Sequence, residues 1–280
     1  MKKISRRSFL AAAAVAAAAL ALTACGGSAS TASSAAASSV AASSEAASTS
    51  AAAAELTTVE AGKLTMATNA TFPPYEMTTD AGTIEGIDVD TAQAIAEKLG
   101  LELQIDDMDF DAALLSVQQG KADIAMAGIT VTDERMAVMS FSDSYATGIQ
   151  SVIVPEGSDI ASVDDLAGKK IGTQRGTTGY IYCSDDFGDD AVVAYDDGLT
   201  AVQALNNGQV DAVVIDNAPA TEYVAANPGL KVLDTSYAEE DYAIGMAKGS
   251  ALEDAVNKAL EELKADGTLQ AIVDKYITAE

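Results

Sequence analysis

Beyond residue 24 the chain has two arginines, Arg135 and Arg175. Arg135 closes the stretch Ala127-Gly-Ile-Thr-Val-Thr-Asp-Glu-Arg135, and Arg175 lies in Gly172-Thr-Gln-Arg-Gly-Thr-Thr-Gly179. A guanidinium is a planar, permanently charged fork of donors that matches a carboxylate through two parallel hydrogen bonds. A scarce arginine beside glycine and threonines therefore predicts a carboxylate-binding corner at Arg135. The alternative for Arg135 is a surface side chain paired with Asp133 or Glu134 in the first turn of a helix.

Other chemistries are removed by composition. The chain has no histidine, which excludes His-based nucleophilic triads and argues against a zinc or copper site. Asp107-Met-Asp-Phe-Asp111 imitates the start of a calcium loop, but the sixth position is Ala112 and the twelfth Gln118, where glycine and glutamate are needed. No metal and no cofactor is expected. Cys25 and Cys183 are the two cysteines. If Cys25 is modified, Cys183 has no disulfide partner and reads as a small buried apolar residue.

The amino terminus carries Lys2, Lys3, Arg6 and Arg7 before an apolar run from Phe9 to Ala24. That run is shorter than the roughly 20 residues a membrane-spanning helix needs, and residues 1–24 read as a signal peptide. Ser5-Arg6-Arg7-Ser8-Phe9-Leu10 resembles a twin-arginine export signal, with ordinary secretion an equal alternative. Leu22-Thr-Ala-Cys25-Gly26 resembles a lipobox, which would make Cys25 a lipidated first residue. Residues 25–56 are then a tether dominated by Ala, Ser and Thr, too poor in apolar bulk to form a core. Without the signal peptide, 12 basic side chains face 42 acidic ones, a net charge of about −30 that excludes nucleic acid as a partner and favours solubility.

Residues from about 56 onward alternate short β-rich runs with amphipathic helical stretches. The predicted order is strand 63–68, helix 88–99, strand 101–105, helix 111–119 and strand 122–127. After a break near 144–148 come strand 170–173, helix 177–183, strand 191–195, helix 199–206 and strand 211–215. Such alternation predicts parallel sheets with helices on their faces. Gln119-Gly-Lys-Ala-Asp123 and Asn207-Gly-Gln-Val-Asp211 look like one unit written twice, each a helix stopped at glycine and a buried strand begun after aspartate. Ligands of open α/β sheets bind at the carboxyl ends of strands, which points to Gly128–Thr130 and Asp216–Asn217. A strand at 241–247 and a helix at 252–263, with Leu252, Val256, Ala259, Leu260 and Leu263 on one stripe, return the chain to the first unit.

Seven segments in order, Ala67-Thr-Asn-Ala-Thr-Phe-Pro-Pro-Tyr75, Gly86-Ile-Asp-Val-Asp90, Gly120-Lys-Ala-Asp-Ile124, Gly128-Ile-Thr-Val-Thr-Asp-Glu-Arg135, Phe141-Ser-Asp-Ser-Tyr145, Gly176-Thr-Thr178 and Gly267-Thr-Leu269, resemble the bacterial extracellular solute-binding proteins of family 3. These are amino-acid receptors of ABC importers, and the resemblance covers nearly everything after the tether. It implies an α/β, two-lobe periplasmic-binding-protein-like fold of type II with two hinge strands near 145–149 and 240–244. Lobe 1 would comprise 57–146 with 242–280, and lobe 2 residues 147–241.

The resemblance also implies a site between the lobes. Arg135 would anchor a ligand α-carboxylate, helped by Thr130, the backbone of Gly128, and Thr177 and Thr178 at a helix start where free N–H groups favour an anion. Asp216 would pair with the α-ammonium; its alternative role is the N-cap of the helix that follows. Phe72 and Phe110 would sandwich the ligand side chain, whereas Tyr75 is equally placed for core or rim. Asn69 and Gln174 stand where relatives carry charged residues, so a neutral side chain is expected, while Glu76 keeps a basic one open. Arg175 is expected in solvent.

The implied partners are a small amino acid, the transmembrane subunits of an ABC permease and, through Cys25, the outer face of the cytoplasmic membrane. The chain would act as a monomer without covalent chemistry. The rival readings are a dehydratase-like enzyme for cyclic acids on the same fold, with Asp216 and Glu76 as its candidate acids, and a sensor for a membrane kinase.

Overall fold

The computed structural model describes residues 56–277. The predicted signal peptide, Cys25 and nearly all of the tether lie outside the described residues. Among the described residues no helix is long and apolar enough to cross a membrane.

The first half is built from β1 (Lys63–Thr68), β2 (Thr71–Phe72), β3 (Glu76–Thr78), β4 (Ile84–Glu85), α1 (Ile87–Leu99), β5 (Glu102–Asp107), α2 (Phe110–Gln118), β6 (Ile124–Ala125), α3 (Asp133–Val138) and β7 (Met139–Phe141). Then follow β8 (Ala146–Pro155), β9 (Ile171–Gln174), α4 (Thr178–Phe187), β10 (Val192–Tyr195), α5 (Gly198–Asn206), β11 (Ala212–Asp216), α6 (Asn217–Ala226), β12 (Leu230–Val232), β13 (Ala238–Tyr242), β14 (Gly245–Ala247), α7 (Glu253–Ala265) and α8 (Thr268–Tyr276).

These elements form two α/β lobes, each around its own sheet. One sheet has the order β5-β1-β6-β14-β7, the other β10-β9-β11-β8-β12 with β13 also on β8. The strands that follow helices in sequence pair in parallel, β1 with β5 and β6, and β9 with β10 and β11. The expected parallel pairing holds for these strands, and antiparallel strands are added to both sheets: β14 runs antiparallel to β6 and β7, and β8 antiparallel to β11, β12 and β13. The physical reason is connectivity. The chain leaves the first lobe on β8 and returns along β13, and these crossing strands pair with each other from Ala146↔Tyr242 to Gln150↔Ala238.

Lengths also differ from expectation. The strand predicted at 122–127 is reduced to Ile124–Ala125, with one further bond from the Met126 amide to the Ala67 carbonyl at 3.1 Å before the chain turns at Gly128. The strand predicted at 241–247 is broken between Tyr242 and Gly245, where the chain passes from one sheet to the other. Helix α4 continues to Phe187, one turn past the predicted end. Helix α7 buries Val256, Ala259, Leu260 and Leu263, in the same apolar cluster as Leu64 and Met66 of β1 and Ile95 of α1.

The duplicated unit is real in the backbone. Gly120 and Gly208 both adopt left-handed φ, 66° and 67°, a conformation glycine enters without the Cβ penalty. The Lys121 and Gln209 amides each reach back to a helix carbonyl, Ser116 and Ala204, at 2.9 Å. The aspartate that follows ties the next strand to its neighbour. Asp123 accepts from the Val59 and Thr65 amides, both at 2.8 Å, and Asp211 from the Lys170 amide at 2.8 Å. Asp123 is buried. Replacing it with alanine orphans two amides and is expected to cost about 2–3 kcal/mol, read as a lower midpoint in chemical denaturation. Asp211→Ala, which removes one solvent-exposed bond, should cost less than half as much.

Candidate ligand site

Four strand ends converge on one cavity. β1 delivers Asn69, β6 delivers Ala127 and Gly128, β9 ends on Gln174, and β11 ends on Asp216. The cavity is small and is also lined by Phe72, Glu76, Phe110, Thr130, Arg135, Gln150, Thr177, Thr178, Val214, Ile215 and Tyr242. All ten residues expected at the site, Asn69, Phe72, Phe110, Gly128, Thr130, Arg135, Gln174, Thr177, Thr178 and Asp216, line it.

Arg135 is set by the start of α3, where the Thr132 hydroxyl accepts from the Arg135 amide at 3.2 Å and caps the helix. Its side chain is 9% exposed and pairs with neither Asp133 nor Glu134, so the surface alternative fails. The guanidinium donates to the Thr130 carbonyl at 2.8 Å and to the Gly176 carbonyl of the second lobe at 3.1 Å, and it lies 5.3 Å from the Phe110 ring centre. Burial lowers its proton affinity, opposed by nearby Glu240. Two carbonyls leave part of its five-donor fork available for an anion.

Asp216 fills both roles considered for it. Oδ1 accepts from the Ala218 amide at 3.3 Å and caps α6, while buried Oδ2 has at most the Tyr242 hydroxyl beside it. Burial lifts its pKa to about 6, partly offset by the Tyr242 hydroxyl and the Ala218 amide. Space for this carboxylate exists because position 148 is glycine: a Cβ there would collide with Asp216 Oδ2 and the Tyr242 ring.

Other polar groups are already engaged. The Gly128 amide donates to Asp88 Oδ2 at 3.0 Å, which corrects the expectation that it would bind a ligand carboxylate. The Thr177 hydroxyl caps α4 by accepting from Tyr180 and donates to the Gln174 carbonyl at 2.8 Å, so its hydroxyl serves the helix start. Gln174 Nε2 donates to Asn69 Oδ1 across the lobes at 2.8 Å, and Asn69 Nδ2 donates to the Met108 carbonyl at 2.9 Å. Tyr75 is buried, stacked near Phe72 and edge-on to Tyr242. Arg175 is exposed and faces Asp196 at 3.7 Å, outside the cavity.

Sequence reasoning missed the second ring of acids. Glu240, treated only as a hinge boundary, is buried in β13; its Oε2 accepts from the Gln150 amide at 2.9 Å and the Thr178 and Thr130 hydroxyls at 3.0 and 3.2 Å. Asp88 is fully buried in the first turn of α1. Its place was signalled by Gly86-Ile-Asp-Val-Asp90, where a helix-opening acid would ordinarily face solvent.

The lobes are closed on each other. Besides Arg135–Gly176 and Gln174–Asn69, the Tyr223 hydroxyl donates to the Thr71 carbonyl. Gly176 has φ 75°, and a Cβ on it would overlap the Asp111 carboxylate. Gly176→Ala is expected to push the lobes apart, seen as a larger radius of gyration in small-angle scattering and at least tenfold weaker ligand binding, or roughly 1.4 kcal/mol.

The family described as bacterial extracellular solute-binding proteins, family 3, matches residues 64–279. The L-cystine-binding protein TcyJ of Escherichia coli K12 is 33% identical over 226 residues, covering 79% of this chain and 85% of that one. The putative ABC transporter arginine-binding protein 2 of the same organism is 32% identical over 227 residues, covering 79% and 93%. Among solved structures, the arginine-, lysine-, histidine-binding protein ArtJ of Geobacillus stearothermophilus superposes with a TM-score of 0.75 at 35% identity, over 78% of this chain and 96% of that one. The fold is thus the two-lobe α/β type II periplasmic-binding-protein fold.

Proposed function

The chain belongs to the bacterial extracellular solute-binding proteins of family 3, and from that premise we propose that it is the amino-acid receptor of an ABC uptake transporter. The observation that carries this reading is a cavity with a buried guanidinium from one lobe and a buried, half-satisfied carboxylate from the other, Arg135 and Asp216. An α-amino acid presents the complementary carboxylate and ammonium on one carbon. Arg135 grips the carboxylate with its remaining donors, supported by Thr130 and by Thr178 at the start of α4. Asp216 Oδ2 accepts from the ammonium. Phe72 and Phe110 flank the ligand side chain, and Asn69 with Gln174 closes that end of the cavity.

The lobes are residues 57–146 with 242–280, and residues 147–241. The hinges run at 145–149 and 240–244, where β8 and β13 lie side by side. Binding energy gathered from both lobes favours the closed form, which the permease subunits recognise. The site binds without chemistry, a reading supported by membership of a solute-binding family. One chain supplies both ends of the ligand clamp, which supports a monomer.

Residues 1–24 direct export and Cys25 anchors the mature protein by lipid to the outer face of the cytoplasmic membrane, with residues 26–56 as the tether. The lipobox-like Leu22-Thr-Ala-Cys25 supports this placement.

Arg135→Ala leaves the ligand carboxylate without its charged partner and should weaken amino-acid binding by about 2–5 kcal/mol, measured by calorimetry on protein whose denaturation midpoint confirms folding. Unchanged affinity would remove Arg135 from the site. Cys25→Ala should move the protein from the membrane to the soluble fraction on sedimentation; continued co-sedimentation would refute the lipid anchor.

A further inference from the structure

The ribbon of β8 and β13 that joins the lobes has two faces. Side chains alternate along a strand, so Gly148 packs on Asp216 and Gln150 lines the ligand cavity, while Thr147 and Ile149 are exposed on the opposite side. Along β13, Glu240 and Tyr242 are likewise buried, and Glu239 and Asp241 face outward. Behind the ribbon lies a second cavity, lined by Thr147 and Ile149 together with residues of both lobes.

The first lobe supplies Pro74, Tyr276 and Ile277 to this rear cavity, and the second supplies Ala218, Thr221 and Glu222 from α6. Each wall is fixed to its own lobe. The Tyr276 hydroxyl and the Lys275 ammonium both donate to Asp90 Oδ2 of α1, at 3.0 and 2.7 Å, which ties the end of α8 to the first lobe. Helix α6 buries Ala220 and Tyr223 in the apolar cluster of the second. Asp216 lines both cavities, which places them back to back across the hinge. With the lobes closed, Ile149 is 37% exposed and Ile277 38%, so two large apolar side chains of the rear cavity keep much of their surface in water.

Resting on the amino-acid receptor reading above, we propose that the rear cavity is an apolar seat that shuts as the ligand cleft opens, burying Ile149 and Ile277 and so setting ligand affinity from residues that do not touch the ligand. A rotation about β8 and β13 that parts Arg135 from Gly176 brings the walls on the other side of the ribbon together. The approaching walls take the surface of Ile149 and Ile277 out of water, and the open form is stabilised in proportion to the apolar area covered.

The sign of the effect follows from the two-state balance. A ligand gripped from both lobes is bound by the closed form, and its apparent affinity is its affinity for that form multiplied by the fraction of free protein that is closed. Whatever stabilises the open form is therefore lost from binding. Trimming the seat tightens binding. Blocking the seat does the same by another route, because a bulky side chain on α6 meets the first-lobe wall before the cleft can open fully.

The test is calorimetry of the purified mature protein with the common proteinogenic amino acids and cystine, followed by the same titration of two variants with whichever of them binds. Ile277→Ala and Thr221→Trp are each expected to bind that amino acid about threefold to tenfold more tightly. Small-angle scattering should show a smaller radius of gyration for each ligand-free variant than for the ligand-free unmodified protein, with the ligand-bound radii equal. A side chain that merely supported the fold would lower the denaturation midpoint and leave affinity unchanged or weaker. Should Ile277→Ala fail to fold, Thr221→Trp, at an exposed position on α6, decides alone. Unchanged or weaker binding in a folded variant overturns the proposal and leaves the receptor reading intact. Binding of no amino acid by the unmodified protein overturns both.

Discussion

A guanidinium buried against carbonyl oxygens and without a carboxylate is the constraint around which the rest is arranged. Arg135 has given up water for the Thr130 and Gly176 carbonyls, and carbonyls compensate only part of the desolvation of a full charge. Each neighbour serves that geometry. Thr132 caps α3 so that Arg135 leaves its first turn pointing inward. Glu240 holds the Thr130 hydroxyl, which fixes the segment whose carbonyl meets the guanidinium. Glycine at 176 lets a second-lobe carbonyl approach over Asp111. The incomplete compensation is useful: a site already neutralised by its own acid would have little to gain from a ligand carboxylate.

The same contacts explain how closure can depend on a small molecule. The lobes meet through a handful of hydrogen bonds, each worth about 1 kcal/mol net, and turn on one antiparallel pair, β8 and β13. That sum is small enough for a ligand held from both sides to shift the balance, since it can move an equilibrium only by its differential affinity for the two states. Gln150 and Glu240 sit on the paired strands themselves, with Thr130 from one lobe and Thr178 from the other bonded to a single Glu240 oxygen. The hinge is therefore wired to the site rather than merely adjacent to it.

Much of this was legible in the sequence, and the exceptions have physical causes. Period and punctuation located the helices, and the repeated glycine-to-aspartate unit located two of the four strand ends that build the cavity. Arg135 stood out as a scarce arginine beside glycine and threonines, and Asp216 as an acid at the end of a strand. Glu76 and Asp88 did not stand out as a pair. Twelve positions separate them, and they meet only because the chain doubles back through β3 and β4, with Gly86 pressed against the Tyr75 carbonyl where no Cβ fits. Glu240 sits in Ala238-Glu-Glu-Asp-Tyr242, a run that reads as solvated surface; pairing with β8 alternates its residues and turns Glu240 inward. The direction of β8 and β14 was equally hidden, because helix–strand alternation says nothing about strands that cross between sheets.

The division of labour between lobes gives the site an order of events. Asn69, Phe72, Glu76, Asp88 and Phe110 all belong to the first lobe, as does Arg135. On the proposed reading, this lobe would receive the carboxylate and touch the side chain first. Asp216, Gln174 and Thr178 come from the second lobe and complete the clamp on closing. On that reading the ammonium, common to all amino acids, meets its partner only when the second lobe closes.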